Sequence, residues 1–144
     1  MASPTRSGLN GGKGGDAFDD TAGNIIGVTS ITIHHGNQVD GIQATYLRTD
    51  NRTFEGPYHG GYGGSPTTIN FAADEVIVEV YGKTNNVLVD QITFVTRKRD
   101  GSTQTYGPYG MTGETPFSVK GRVASLFGRS GNLLDAIGFT FYPL

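Results

Sequence analysis

The sequence predicts an all-β protein made of three similar units about a pseudo-threefold axis. Three observations carry that reading. Its 144 residues include 23 glycines, well above the usual share of roughly 7%, and β-branched and aromatic runs lie between them. Glycine at that density marks tight turns between short strands. No window keeps a 3.6-residue apolar period with helix caps. Finally, two unrelated phrases recur at one period. Gly36-Asn37-Gln38-Val39-Asp40-Gly41-Ile42 returns as Gly131-Asn132-Leu133-Leu134-Asp135-Ala136-Ile137, with a weaker copy at Asn86-Val87-Leu88-Val89-Asp90-Gln91-Ile92. Gly11-Gly12-Lys13-Gly14-Gly15 returns 49 residues later as Gly60-Gly61-Tyr62-Gly63-Gly64, with a looser echo over Tyr106–Gly113. The aspartates stand 50 and 45 residues apart, close to a third of the chain.

The strands follow in order. Val28–Ile33 and Ile42–Leu47 alternate with period two. Val76–Tyr81 and Ile92–Thr96 are rich in β-branched and aromatic residues, and Val123–Phe127 and Ile137–Tyr142 complete the set. Regular spacing with turns between implies a sandwich, barrel or prism. The length fits one domain with a substantial core.

Bulk chemistry narrows the function. A net charge of −2 argues against a nucleic-acid partner held by phosphate neutralisation. Arg97-Lys98-Arg99 runs straight into Asp100-Gly101 and reads as a solvated hairpin end. There is no cysteine, hence no disulfide or thiolate chemistry. No apolar stretch approaches the ~18 residues of a membrane span, so no membrane insertion is expected. Residues 1–6 are polar and lack the apolar segment of a signal peptide, so a cytoplasmic or nucleocytoplasmic location is expected. The sequon Asn51-Arg52-Thr53 then reads as unmodified.

The two phrases complement one another. A Gly-Gly-x-Gly-Gly loop lets another molecule reach backbone N–H groups. An aspartate in a turn offers two acceptor oxygens beside further N–H donors. Together they suit vicinal hydroxyls, each of which both donates and accepts. Glycines serving only turns, and an aspartate common in turns, would explain one copy. Two clear copies of both phrases in alternating order favour binding.

Other motifs are weaker. Gly12-Lys13-Gly14-Gly15-Asp16-Ala17 matches a dinucleotide fingerprint, but no strand precedes it and no helical pattern follows. His34 and His35 are adjacent on a strand, point to opposite faces and make a poor metal pair; they and His59 read as packed or solvent-facing. Asp19-Asp20 reads as a strand-end turn, since a calcium-loop pattern is missing. Aspartates on three symmetric units do not form an acid/base pair, and no catalytic machinery, metal or cofactor is expected.

"GGKGGDAFDD", "HGGYGG", "TYGPYGMTGETPFSV" and "LFGRSGNLLDAIGF", in that order, resemble the jacalin-related lectins from about Leu9 to Leu144. The resemblance implies a β-prism of three four-stranded Greek-key sheets, with residues 1–8 as a tail and 9–144 as one lectin domain. It implies reversible carbohydrate binding without catalysis or metal. The implied first site joins Gly15 to Asn132, Leu133, Leu134 and Asp135. Asp135 would accept from the sugar O4 and O6 hydroxyls, and the amides of Gly15, Asn132 and Leu133 would donate. A second site would join Gly64 to Asn37, Gln38, Val39 and Asp40. A third, degenerate, would hold Asp90, Leu88 and Gly113; there Asn86 replaces the loop glycine and Glu114 stands where the family often has glycine.

The galactose-binding branch of that family is cleaved before the loop glycine and places aromatics in the aspartate loop. Here residues 1–14 lead unbroken into Gly15, and the loop carries Asn132 and Leu133. Both features resemble the mannose-binding branch. The partners implied are mannose- or glucose-containing glycans or glycoproteins. One small cup in open water implies millimolar affinity, about 4 kcal/mol, so useful binding needs several cups and a homo-oligomer, dimer or tetramer, is expected. The rival reading is a β-prism protein-interaction module with vestigial sugar sites.

Overall fold

The computed structural model describes residues 3–111 and 113–144. Met1 and Ala2 of the tail and Thr112 of the third glycine phrase lie outside the described residues. Fourteen strands run in order: β1 Thr5–Arg6, β2 Asn10–Gly11, β3 Asp16–Asp19, β4 Ile25–His35, β5 Val39–Arg48, β6 Thr53–Glu55, β7 His59–Gly60, β8 Ser65–Asn70, β9 Val76–Thr84, β10 Val89–Arg97, β11 Thr103–Gly110, β12 Thr115–Lys120, β13 Arg122–Ser130 and β14 Leu134–Tyr142. Each run expected from the sequence lies inside one of the six long strands, β4, β5, β9, β10, β13 and β14.

The strands form three antiparallel sheets. Their orders are β1-β14-β13-β3 with β2 beside β14, β6-β5-β4-β8 with β7 beside β5, and β11-β10-β9-β12. In the last two sheets, three consecutive strands are followed by a fourth that returns beside the first, the Greek-key order. The first sheet has the same order with its members taken from both chain ends. Two sheets thus hold five strands where four were expected. The extra member is a fragment: β1 and β2 are pieces of one outer strand along β14, as β6 and β7 are along β5. Gly8 and Gly56-Pro57 fall in the two breaks, where glycine weakens a strand and proline withholds a ladder donor. The tail is also shorter than expected, because Thr5 pairs with Phe141 and Arg6 with Thr140.

The sheets enclose one apolar core, as the faces of a prism enclose its axis. The aspartate phrase supplies it in triplicate. Val39, Ile42 and Ala44, then Val89, Ile92 and Phe94, then Leu134, Ile137 and Phe139 are all fully buried. Each large side chain contributes roughly 1.5–3 kcal/mol of burial, which fixes where the phrase begins.

Asp19 ends β3, and its Oδ1 accepts from the Thr21 amide at 2.9 Å, a strand-end turn as the sequence implies. Asp20 differs: it turns inward, accepts from the Tyr46 hydroxyl at 2.5 Å and pairs with His59 Nε2 at 2.8 Å. His59 stacks on Phe18 with ring centroids 3.6 Å apart. This buried polar group ties the first sheet to the second. The run Arg97-Lys98-Arg99 ends the β10–β11 hairpin, as expected.

Candidate functional site

All the repeated loops meet at one end of the prism. The aspartate loops are the β4–β5, β9–β10 and β13–β14 hairpins; the glycine loops join β2 to β3, β7 to β8 and β11 to β12. They interlock in a ring. A Cβ on Gly12 would strike the Val87 backbone, and one on Gly61 would strike the Asn132 backbone. In the third unit the Met111 amide donates to the Asn37 carbonyl at 3.2 Å. Every glycine loop therefore leans on the aspartate hairpin of a neighbouring unit.

Each aspartate occupies a break in strand register. His34 pairs with Gly41 but His35 with Val39, leaving Asp40 as the extra residue. Asp90 is skipped between the Val89 and Gln91 pairings, and Asp135 between those of Leu134 and Ala136. A bulge residue is freed from the ladder and its side chain is re-aimed. The repeat thus encodes a bulge that presents a carboxylate at the rim of a core.

In the first cup, a Cβ on Gly14 would lie 2.8 Å from Asp135 Oδ2, and one on Gly15 2.8 Å from Asp135 Oδ1. Gly15 has φ +70°, a conformation that disfavours side chains. The second cup repeats this geometry: a Cβ on Gly63 would lie 2.7 Å from Asp40 Oδ2, on Gly64 3.2 Å from Asp40 Oδ1, and Gly64 has φ +68°. The Gly12 amide donates to the Asp135 carbonyl at 2.8 Å, and the Gly61 amide to the Asp40 carbonyl at 2.9 Å. Inside the hairpins the Gly131 and Gly36 amides donate to the Leu133 and Gln38 carbonyls, both at 3.0 Å. Among the described residues, the amides of Asn132, Leu133, Asn37 and Gln38 have no protein acceptor. Gly36, Asn37, Gln38, Asp40 and Gly64 line a depression of about 410 Å³. A carboxylate facing bare amides in an open hollow suits a polyhydroxylated ring.

Structure places the remaining residues of the expected sites as follows. Gly15 approaches Asp135, Asn132 and Leu133 lie in the hairpin turn just before it, and Gly64, Asn37 and Gln38 line one depression with Asp40. Leu134 and Val39 point away into the core and are fully buried, so they anchor the loops and leave only main chain to the cups.

Sequence reasoning missed the two clamps that hold the glycine loops. Arg129 Nε donates to the Gly14 carbonyl at 3.0 Å and Nη2 to the Gly15 carbonyl at 2.8 Å. The corresponding residue of the second unit is His34, since Arg129 pairs with Ala136 and His34 with Gly41. There the Tyr58 hydroxyl donates to the Gly61 carbonyl instead. Burial pushes the Asp135 carboxyl up, against the Arg129 guanidinium and the Gly131 amide. Burial, with the nearby Tyr62 and Asp40, pushes the Tyr58 hydroxyl up to about 12.

The third site is internally closed. Thr84 pairs with Val89, whereas Ser130 pairs with Leu134 and His35 with Val39, so the third hairpin is one residue longer. The added length brings Asn85 inward. Its Nδ2 donates to Asp90 Oδ1 at 3.0 Å, and its Oδ1 accepts from the Val87 and Leu88 amides at 2.7 and 2.8 Å. One side chain takes one carboxylate oxygen and both amides that the other cups leave open, while Asp90 Oδ2 is buried with no partner among the described residues. Asp90 is buried, and burial together with the charge of Glu114 pushes its carboxyl up. Gly113 lies beside it, a Cβ there falling 3.2 Å from Asp90 Oδ2. The sequence placed the departure at Asn86 and Glu114; Asn85 is the residue that fills the site.

The histidines are packed. His34 meets Tyr58 and Tyr62 edge-on, and His35 Nε2 lies 2.8 Å from the Thr67 hydroxyl. Among the described residues, no three His, Cys, Asp or Glu side chains group to hold a metal. A second cavity of about 410 Å³ opens at the opposite end, beside Glu75 and Arg122. The Glu75 oxygens already accept from the Ala72 amide and the Thr96 and Tyr106 hydroxyls.

Comparison with known proteins agrees with this geometry. Residues 7–140 match the family described as the Jacalin-like lectin domain. Horcolin of Hordeum vulgare subsp. vulgare is 37% identical, over 99% of this chain and all of the relative. The galactose-specific lectin of Morus indica is 36% identical, over 87% of this chain and 82% of the relative. The structure of AcmJRL, a mannose binding jacalin related lectin from Ananas comosus, superposes with a TM-score of 0.86 at 34% identity, covering 98% of this chain and 99% of that one. The likeness runs over nearly the whole chain in both sequence and fold, and the chain belongs to the jacalin-like lectin domain family.

Proposed function

We propose that this protein binds mannose- and glucose-type pyranosides in two cups per chain, and cross-links glycans through them. Asp135 and Asp40 accept from adjacent sugar hydroxyls. The amides of Gly15, Asn132 and Leu133, and of Gly64, Asn37 and Gln38, donate to sugar oxygens. The observation that carries this reading is the duplication: two bulge aspartates each face two glycines of a loop, with the same φ at Gly15 and Gly64. The third cup is silent because Asn85 occupies it.

The choice of mannose over galactose rests on the Asp135 hairpin, which carries Asn132 and Leu133 and no aromatic ring to lie against the apolar galactose face. A few hydrogen bonds in open solvent give millimolar affinity per cup, about 4 kcal/mol, and two linked cups raise avidity on a branched glycan. Nothing in this binding needs bond cleavage or a metal.

The test is calorimetric titration with methyl α-mannoside. Two sites per chain are expected in the wild type, one in Asp40→Ala, one in Asp135→Ala and none in the double variant. Undiminished binding by the double variant would sink the site assignment. Absence of binding to any mannoside in the wild type would favour a protein-interaction module instead.

A further inference from the structure

We propose that the second cup is extended by an aromatic subsite, centred on Tyr62, that takes the second pyranose of a mannose oligosaccharide. The inference rests on the sugar-binding reading above and adds a difference between the two cups.

Tyr62 is the middle residue of the glycine loop at the second cup, directly before Gly63, which approaches Asp40 Oδ2. Its side chain is 72% exposed, among the most exposed large hydrophobics of the described residues. Exposure of an aromatic ring at the rim of a polar cup has no folding benefit. Yet the ring is not loose. It stacks on Tyr58 with centroids 4.4 Å apart and planes at 11°. His34 meets both rings edge-on, 5.5 Å from Tyr58 and 5.6 Å from Tyr62, at 87° to each. Tyr58 is fixed in turn by its hydrogen bond to the Gly61 carbonyl.

The second unit is built to admit this assembly. A Cβ on Gly41 would collide with the Tyr58 hydroxyl, and the equivalent residue of the first unit is Ala136. The first cup carries Lys13 in place of Tyr62 and Arg129 in place of His34. The first loop is thus clamped by a cation and the second by the Tyr58 hydroxyl, on whose ring Tyr62 lies facing solvent.

A rigid, exposed ring beside a monosaccharide cup has one chemical use consistent with that cup. The axial C–H bonds of a pyranose form an apolar patch with partial positive charge, and an aromatic face carries negative quadrupole charge. A ring already ordered loses little freedom on binding. Such a contact is worth a factor of about two to ten in affinity.

The experiment isolates the second cup with Asp135→Ala and titrates it with methyl α-mannoside and with α-linked mannobioses. At least one mannobiose is expected to bind two- to tenfold tighter than the monosaccharide. Adding Tyr62→Ala removes that gain, and adding Tyr62→Phe keeps it. In the Asp40→Ala protein, which retains only the first cup, Tyr62→Ala changes neither ligand. A mannobiose gain that survives Tyr62→Ala, or an equal loss for both ligands, overturns the subsite while leaving the cup intact. If the wild type binds neither ligand, the sugar-binding reading itself fails and the subsite falls with it.

Discussion

The Arg129 guanidinium donates to the Gly15 carbonyl at 2.8 Å, joining residues 114 positions apart in the chain. With its second bond, to Gly14, it holds the glycine loop in the pose that faces Asp135. Two charge-assisted bonds at an exposed position contribute about 1 kcal/mol to that order. Arg129→Ala in the Asp40→Ala background should therefore weaken methyl α-mannoside binding about fivefold. The same change in the Asp135→Ala background, which reads the second cup, should have no effect. Calorimetry on the two double variants checks both.

Opening the third cup requires a shorter hairpin and a glycine opposite it. Deleting Asn85 restores the three-residue loop of the other units, and Glu114→Gly removes the negative side chain that raises Asp90. Placed in the Asp40→Ala, Asp135→Ala protein, the two changes should restore one mannoside site to a chain that has none. Continued failure to bind, with the fold intact by circular dichroism, would show that Asn85 does not set the closure.

Acid should switch off the first cup. Burial favours the neutral Asp135, so in the free protein it gains its proton at a higher pH than the ordinary 3.8. A protonated carboxyl accepts fewer hydroxyl hydrogen bonds. The mannoside affinity of the Asp40→Ala protein should fall on acidification with a midpoint above 3.8. Sugar hydroxyls favour the ionised form, so binding in that range releases protons. Titration in two buffers of different ionisation enthalpy measures the release.

Glu75 should govern stability and leave binding alone. Burial alone would raise its carboxyl, but the Thr96, Ala72 and Tyr106 hydrogen bonds and the Lys98 charge outweigh that and hold it below the ordinary 4.5. The unfolded chain then binds the proton more readily, so the contribution of Glu75 is complete above 4.5 and is lost as pH falls through the lower folded value. Glu75→Ala strands two hydroxyls and one amide, and should cost about 2–4 kcal/mol in urea unfolding at neutral pH. Sugar affinity of the folded variant should match the wild type.

Much of this molecule was legible because it is written three times. The long strands alternate and are buried, so Ile137–Tyr142 and its counterparts declare themselves. The short outer strands do not: Thr115–Lys120 and Ser65–Asn70 each bury a single residue and carry proline, serine and threonine, so only pairing with β9 and β4 makes them strands. Of the site, the repeat exposed Asp40, Asp135 and their glycines. It could not expose Arg129, Asn85 or Tyr58, whose parts depend on distances between loops. The added residue at Asn85 lies between Asp40 and Asp90 and lengthens their spacing to 50, against 45 from Asp90 to Asp135, a faint signal that strand register explains in part.

The first sheet draws its outer strands from the beginning of the chain and its central pair from the end. Head and tail of the polypeptide therefore lie side by side, and the order in which the units are read is arbitrary. A version reopened at the exposed Lys98–Ser102 turn, with the original ends joined by a flexible linker, should fold to the same molecule and keep both cups. Its first cup would then be assembled from neighbouring stretches of chain, with no need to wait for the last hairpin to find the first strand.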